Sequence, residues 1–224
     1  TELGDARIQV LACGPAAEKG VVFGSLISSA NRANGRTGMG TVMAAKKLKA
    51  VAVRGHHYPD VASPEGVKSL ARWGVENLDR VAGLSKLGTA EGLLILNEEG
   101  GLPTQNWSSG VFDGAQAISG ETMANTVLKR RDTCFGCAIG CKRVVEIADG
   151  PFRTESRYGG PEYETMAALG SYCGVSDLAA ICRANALCNM YGMDTITCGA
   201  TIAWAMDCFE RGLLPRAETD GIDL

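Results

Sequence analysis

The rhythm of hydrophobic and polar positions changes near residue 58. Before it, residues 6–12 (ARIQVLA) and 21–28 (VVFGSLIS) alternate or run apolar between glycines and polar residues, which predicts two strands. Residues 31–40 (NRANGRTGMG) read as a loop, 41–47 as a short helix, and 49–55 (KAVAVRG) as a third strand. The segment from His56 to Gly66 contains two prolines and no period, so it reads as a linker with both histidines exposed.

Ser63-Pro64-Glu65 then begins a helix, with a capping hydroxyl, proline at the first helical position and an acid in the first turn. Helical spacing predicts helices over 64–78, 90–98, 120–130, 161–171, 176–191 and 195–211. In 176–191, Leu178, Ile181, Ala184, Ala186, Leu187 and Met190 form the apolar stripe. A short strand over 143–147 and a loop over 149–161 interrupt the helical part. The fold class is therefore α+β, β-rich before residue 58 and mostly α-helical after it.

Composition narrows the function classes. A length of 224 residues suffices for one large or two modest domains. The net charge of −3 offers no basic face for nucleic acid or an anionic membrane surface. No apolar run reaches the length of a membrane span, and no signal-peptide pattern opens the chain. A start at Thr1 and a finish just after a helix suggest a piece of a longer protein. Nine cysteines, an odd number in a core-rich chain, fit a reducing cytoplasm better than a disulfide framework. Six of them read as core residues, with Cys182, Cys188 and Cys208 inside helical patterns. Asn106-Trp107-Ser108 matches a glycosylation acceptor by chance.

The other three, Cys134, Cys137 and Cys141, make a C-x2-C-x3-C run with Gly136 and Gly140 inside it. Thiolates are soft ligands, and glycines suit a backbone that wraps closely around something. No second C-x2-C follows at zinc-ribbon distance, a thioredoxin-type pair needs no third cysteine, and the bacterial ferredoxin run has a shorter last gap. A [4Fe–4S] cubane with a distant fourth cysteine suits the triplet best, with zinc and coincidence left open. Flanking Arg130, Arg131, Lys142 and Arg143 would offset a cluster's charge or simply be solvated.

Two weaker signals remain. The 31–40 loop carries Arg32, Arg36, Gly35, Gly38 and Gly40 before a helix start, which suits an anion cradle and equally a flexible turn. It is neither a P-loop nor a dinucleotide fingerprint. Glu162 and Glu164 fall in the first turn of a helix and Asp194 at a cap, where dipole and capping explain them.

Together these segments closely resemble the aldehyde ferredoxin oxidoreductase family of tungsten–pterin enzymes, over almost the whole chain. Residues 31–55 resemble the family stretch R-A-x-G-R-x-G-x-G-x-V-M-x-x-K-x-L-K-A. GGLPTQNW, the cysteine triplet, GPEYET and MDTITCGATIAWAMDCFERG follow in the family's order, ending at ETDGIDL. The resemblance implies a tungsten-bispyranopterin (tungstopterin) cofactor, with molybdenum a rare substitute, and a [4Fe–4S] cluster beside one pterin. Cys134, Cys137 and Cys141 match three cluster ligands, and the fourth is expected beyond Leu224. Arg32 and Ala33 match positions that hold a pterin, and Gly35 and Arg36 extend that loop. The anion cradle would then take the pterin phosphates and their magnesium. Asp194 matches the aspartate of a pterin-binding segment. Glu164, with Tyr163 before it, matches the pair facing the metal; Glu164 is expected to be buried, with a raised pKa, as a proton shuttle.

Residues 1–57 would be the C-terminal part of a β-rich N-terminal domain that forms a base for the pterins. Residues 58–224 would be the first part of the α-helical domains carrying the iron–sulfur cysteines. The activity implied is oxidation of a small aldehyde to a carboxylic acid, with electrons passing singly through the cubane to ferredoxin. A homodimer is compatible with it. A relative reducing an aromatic acyl-CoA within a larger complex is the alternative, and a zinc-stabilised or electron-carrying module a more distant one. The chain alone is expected to be inactive and to hold a cluster poorly.

Overall fold

The computed structural model describes residues 4–34 and 36–224. Gly35 lies outside the described residues, and with it the expectation that it extends the pterin loop. Four short strands, β1 (Gln9–Cys13), β2 (Leu26–Ser28), β3 (Arg32–Asn34) and β4 (Ala50–Val53), form an antiparallel sheet in the order β3-β2-β1-β4. Helix α1 (Pro15–Glu18) follows β1, and α2 (Met39–Ala45) precedes β4. Cys13, Ala17 and Met43 bury a small core there, with Leu26 and Ala44 packed against it.

The strand expected over 21–28 is confined to its last three residues. Conversely, Arg32–Asn34 forms the sheet's edge strand rather than a loop, paired Ser28 with Arg32 and Leu26 with Asn34. Pairing with β2 decides this, and the Gly/Arg/Asn composition does not announce it.

The helical part contains α3 (Pro64–Glu76), α4 (Ala82–Leu87), α5 (Leu93–Glu98) and α6 (Gly120–Thr126). The Ser63 hydroxyl accepts from the Gly66 N–H at 3.2 Å, as the cap signal predicts. The helix expected over 120–130 stops at Thr126, because Leu128–Asp132 becomes strand β5 and pairs with β6 (Lys142–Val145). This hairpin carries the cysteine loop. Helices α7 (Tyr163–Leu169), α8 (Leu178–Tyr191) and α9 (Thr195–Glu210) follow.

The main core joins Leu93, Leu102, Ile118, Met123, Met166 and Ile181. On α8, Leu178, Ile181 and Ala186 of the stripe and the core cysteines Cys182 and Cys188 are buried as predicted, and Asn185 is buried too. Cys13, Cys173, Cys182 and Cys188 are core residues, whereas Cys198 and Cys208 are half-buried. No single helix among the described residues is long and apolar enough to cross a membrane.

Sheet and helices meet main chain to main chain. Gly192, in the left-handed region at φ +72°, ends α8 and lies against Gly14. A Cβ on Gly14 would sit 2.0 Å from the Tyr191 carbonyl oxygen, so only glycine fits. The Ser25 N–H donates to the Gly192 carbonyl at 2.8 Å, and the Asp194 N–H donates to the Phe23 carbonyl at 3.2 Å. This seam sets the start of α9 beside the sheet.

Candidate functional site

A cavity of about 850 Å³ opens along the seam. It gathers Arg32 and Ala33 from β3, Cys134 from the hairpin loop, Glu164 from α7 and Asp194 from the start of α9. Because β3 is an edge strand, one row of its main-chain donors and acceptors has no neighbouring strand among the described residues.

Asp194 is buried and caps α9: its Oδ2 accepts from the Thr197 N–H at 2.7 Å and the Thr197 hydroxyl at 2.5 Å. The same oxygen pairs with Arg36 Nε at 3.3 Å, so Arg36 reaches the cavity wall through Asp194 without lining it. Arg32 pairs with Asp132 at 2.5 Å, and Asp132 Oδ1 accepts from the Thr133 N–H at 2.9 Å. The sheet edge is thereby fastened to the residue that precedes the cysteine loop. Both arginines of the expected anion cradle are thus already paired with carboxylates.

Within the loop Cys134 is exposed, and Cys137 and Cys141 are half-buried and do not line the cavity. Gly136 and Gly140 adopt φ +69° and +66°, conformations that L side chains rarely take. The main-chain N–H of Ile139 lowers the Cys137 thiol pKa; the Gly140 N–H, Thr133 and Lys142 add to this against the opposing effect of burial. Burial raises the Cys141 thiol, with Glu162 adding to the rise. Among the described residues no three His, Cys, Asp or Glu side chains converge as ligands of a single metal ion. A cubane instead offers separate iron corners, and three soft thiols on one loop, one receiving main-chain N–H bonds, are the donor set it takes. The residues present fit three of its four corners.

No local signal marks the role of Arg143, whose solvated reading the structure corrects: it is 2% exposed. Its guanidinium donates to the Lys86 carbonyl at 2.7 Å and the Ser85 carbonyl at 3.0 Å, at the end of α4. It also donates to the Gly140 carbonyl at 2.5 Å and, less closely, to the Cys141 carbonyl at 3.3 Å. Partners this distant in sequence could not be read in advance. Gly88 makes room for the clamp, since a Cβ there would lie 2.8 Å from the Cys141 carbonyl oxygen.

Glu164 lines the cavity but is exposed, against the expected burial. It stands near the start of α7, where the cavity is open. Tyr163 does not line the cavity; its half-buried ring packs on the main core, and burial, then the nearby Glu164, raises its pKa. The Thr89 hydroxyl holds this helix start, accepting from the Tyr163 N–H at 2.8 Å and donating to Glu162 at 2.5 Å.

Two family models match, described as aldehyde ferredoxin oxidoreductase, N-terminal domain, over residues 1–55, and domains 2 and 3 over residues 67–224. The tungsten-containing aldehyde ferredoxin oxidoreductase of Pyrococcus abyssi is 44% identical over 98% of this chain and 36% of its own length. The aliphatic sulfonate oxidoreductase, WOR-like subunit, of Pyrococcus furiosus is 27% identical over 92% of this chain and 33% of its own. The chain thus spans about a third of the length of the curated relatives it matches. Its fold is shared with the active site complex of benzoyl coenzyme A reductase solved with 1,5-dienoyl-CoA, at TM-score 0.74 and 22% identity over 98% of this chain and 35% of that one. By both family models, the chain belongs to the aldehyde ferredoxin oxidoreductase family.

Proposed function

We propose that this chain is the pterin-facing and cluster-bearing part of an enzyme that oxidises an aldehyde to a carboxylic acid and passes the electrons to ferredoxin. The observation that carries the reading is the cavity itself, where Arg32, Ala33, Cys134, Glu164 and Asp194 meet from four separate stretches of sequence. When bound, a tungsten-bispyranopterin supplies the two-electron chemistry and a [4Fe–4S] cluster relays single electrons.

The chain's own residues have distinct tasks. Cys134, Cys137 and Cys141 hold the cluster on a loop fixed by Arg143. The β3 edge at Arg32 and Ala33, with Asp194 and its partner Arg36, binds and orients a pterin, and Asp194 keeps the α9 start rigid. Glu164 accepts and releases the substrate's proton at its carboxylate. Tyr163 sits behind Glu164 in the core and supports the helix start. Magnesium at the pterin phosphates and a homodimer belong to the same proposal. So does a domain division at residues 57 and 58, supported by the last sheet strand ending at Val53 and a long helix beginning at Pro64.

The test is Glu164→Gln in the full-length protein. Aldehyde turnover with ferredoxin as acceptor is expected to fall at least about 100-fold, with tungsten and iron contents unchanged. A variant that retains most of its turnover removes Glu164 from the mechanism. Full-length protein that turns over an aromatic acyl-CoA and no aldehyde overturns the reading.

A further inference from the structure

A continuous run of hydrogen bonds leads from the cavity wall to the cysteine loop. It begins at Arg32 on the edge strand β3, which lines the cavity. The Arg32 Nη1 donates to the Asn31 carbonyl at 3.2 Å and its Nη2 to Asp132 Oδ2 at 2.5 Å, which leaves guanidinium N–H groups unused among the described residues. The other Asp132 oxygen accepts from the Thr133 N–H at 2.9 Å. The Thr133 hydroxyl donates to the Cys137 carbonyl at 2.5 Å and lies 3.3 Å from the Cys134 carbonyl. The Cys137 N–H donates to the Cys134 carbonyl at 3.1 Å and closes the turn.

Local chemistry does not call for this route. In the β5–β6 register Asp132 stands opposite Lys142, a cation one strand away, yet its carboxylate pairs with an arginine 100 residues distant in sequence. The two side chains are 24% and 33% exposed, and an ion pair that open to water adds little to stability. What the pair supplies is direction. A guanidinium is a planar, rigid fork, so an anionic group bound in the cavity and the Asp132 carboxylate would grip Arg32 from two sides. Asp132 is then held, and with it the Thr133 N–H and the turn that the Thr133 hydroxyl secures at Cys137.

We propose that Asp132 and Thr133 are positioning residues that couple the cavity to the cysteine loop: a phosphate group of the pterin, bound at Arg32, orders the loop through them, so that pterin and cluster hold each other in place. The proposal rests on the pterin reading of the cavity. Coupling between two sites is reciprocal, so whatever factor the pterin adds to cluster retention, the cluster adds to pterin retention.

The test compares full-length protein made with and without the pterin, as wild type, Asp132→Asn, Thr133→Val and Thr133→Ser. The asparagine keeps the shape but has one acceptor oxygen where the carboxylate uses two. The valine removes the hydroxyl, and the serine retains it. Iron loss to a chelator is followed in each, with pterin content measured by its fluorescent oxidation product. Wild type and Thr133→Ser are expected to lose iron at least about fivefold more slowly with the pterin than without it. Asp132→Asn and Thr133→Val are expected to lose iron at the same rate in both forms, matching the pterin-free wild type. Variants that lose iron faster than wild type by one factor in both forms would show a purely structural role and overturn the proposal, as would variants that keep the fivefold difference. Pterin-bound wild type that loses iron as fast as the pterin-free form would also overturn it, while leaving the pterin reading of the cavity intact. Wild-type protein that carries iron but no pterin when made in a host that supplies pterin would overturn both.

Discussion

The cysteines of this chain occupy two contrasting regions. Those on the β5–β6 hairpin are exposed or half-buried on a glycine-bent loop, and main-chain N–H groups stabilise the thiolate of Cys137. Cys173, Cys182 and Cys188 are buried around α8, and burial pushes the Cys182 thiol up to about 12 and the Cys173 thiol up to about 11. The side chain is the same. Between Cys137 and Cys182 what differs is whether the surroundings favour the anion or the neutral thiol; Cys141, whose thiol burial also raises, shares with the other hairpin cysteines its place on a partly exposed loop.

The sharpest way to break that contrast is to remove one thiol from each region. Cys137→Ser in the full-length protein is expected to lose the cluster, with iron falling to a small fraction of the wild-type content and the visible absorption gone. Cys182→Ser is expected to keep its iron and lose only stability. Loss of iron from both, or from neither, would erase the distinction.

A smaller effect is expected from the clamp that ties the hairpin to the end of α4. Arg143→Met removes the buried donor from the carbonyls of Lys86 and Gly140, leaves the Ser85 carbonyl to Arg131, and should cost about 3 kcal/mol by chemical denaturation, with faster loss of iron. Arg131→Met, at an exposed arginine that also reaches Ser85, should cost no more than about 0.5 kcal/mol. Equal costs would show the burial of Arg143 to be unimportant.

The smallest effect is one of pH. Burial raises the Cys182 thiol above its ordinary value of 9.0, so the folded chain keeps a proton that the unfolded chain releases. Its contribution is full below pH 9 and is lost as the pH rises towards about 12. Cys182→Ala should make the decline in stability between pH 9 and 11 shallower by about 1 kcal/mol per pH unit, read from denaturant titrations.

What could be read in the sequence was whatever local chemistry decides. Ser63 and Asp194 announce helix starts because a cap closes within three residues. The cysteine triplet was legible because its ligands share one loop. Strands β3 and β5 were not, since Arg32–Asn34 and Leu128–Asp132 lack apolar alternation and are fixed by partner strands. Lys and Arg are good helix formers, which made β5 look like the tail of α6. Arg143 and Asn185 stayed hidden for a related reason. A charged or amide residue reads as surface until the distant groups around it are known.

The seam at Gly14 and Gly192 carries one more consequence. The two regions differ in composition and in secondary structure, yet at this seam they touch through backbone atoms, flanked by the side-chain pairs Arg32–Asp132 and Arg36–Asp194. Such a joint has almost no compliance. A small shift of the sheet at this joint travels directly into the break between α8 and α9, and so into the cavity wall at Asp194.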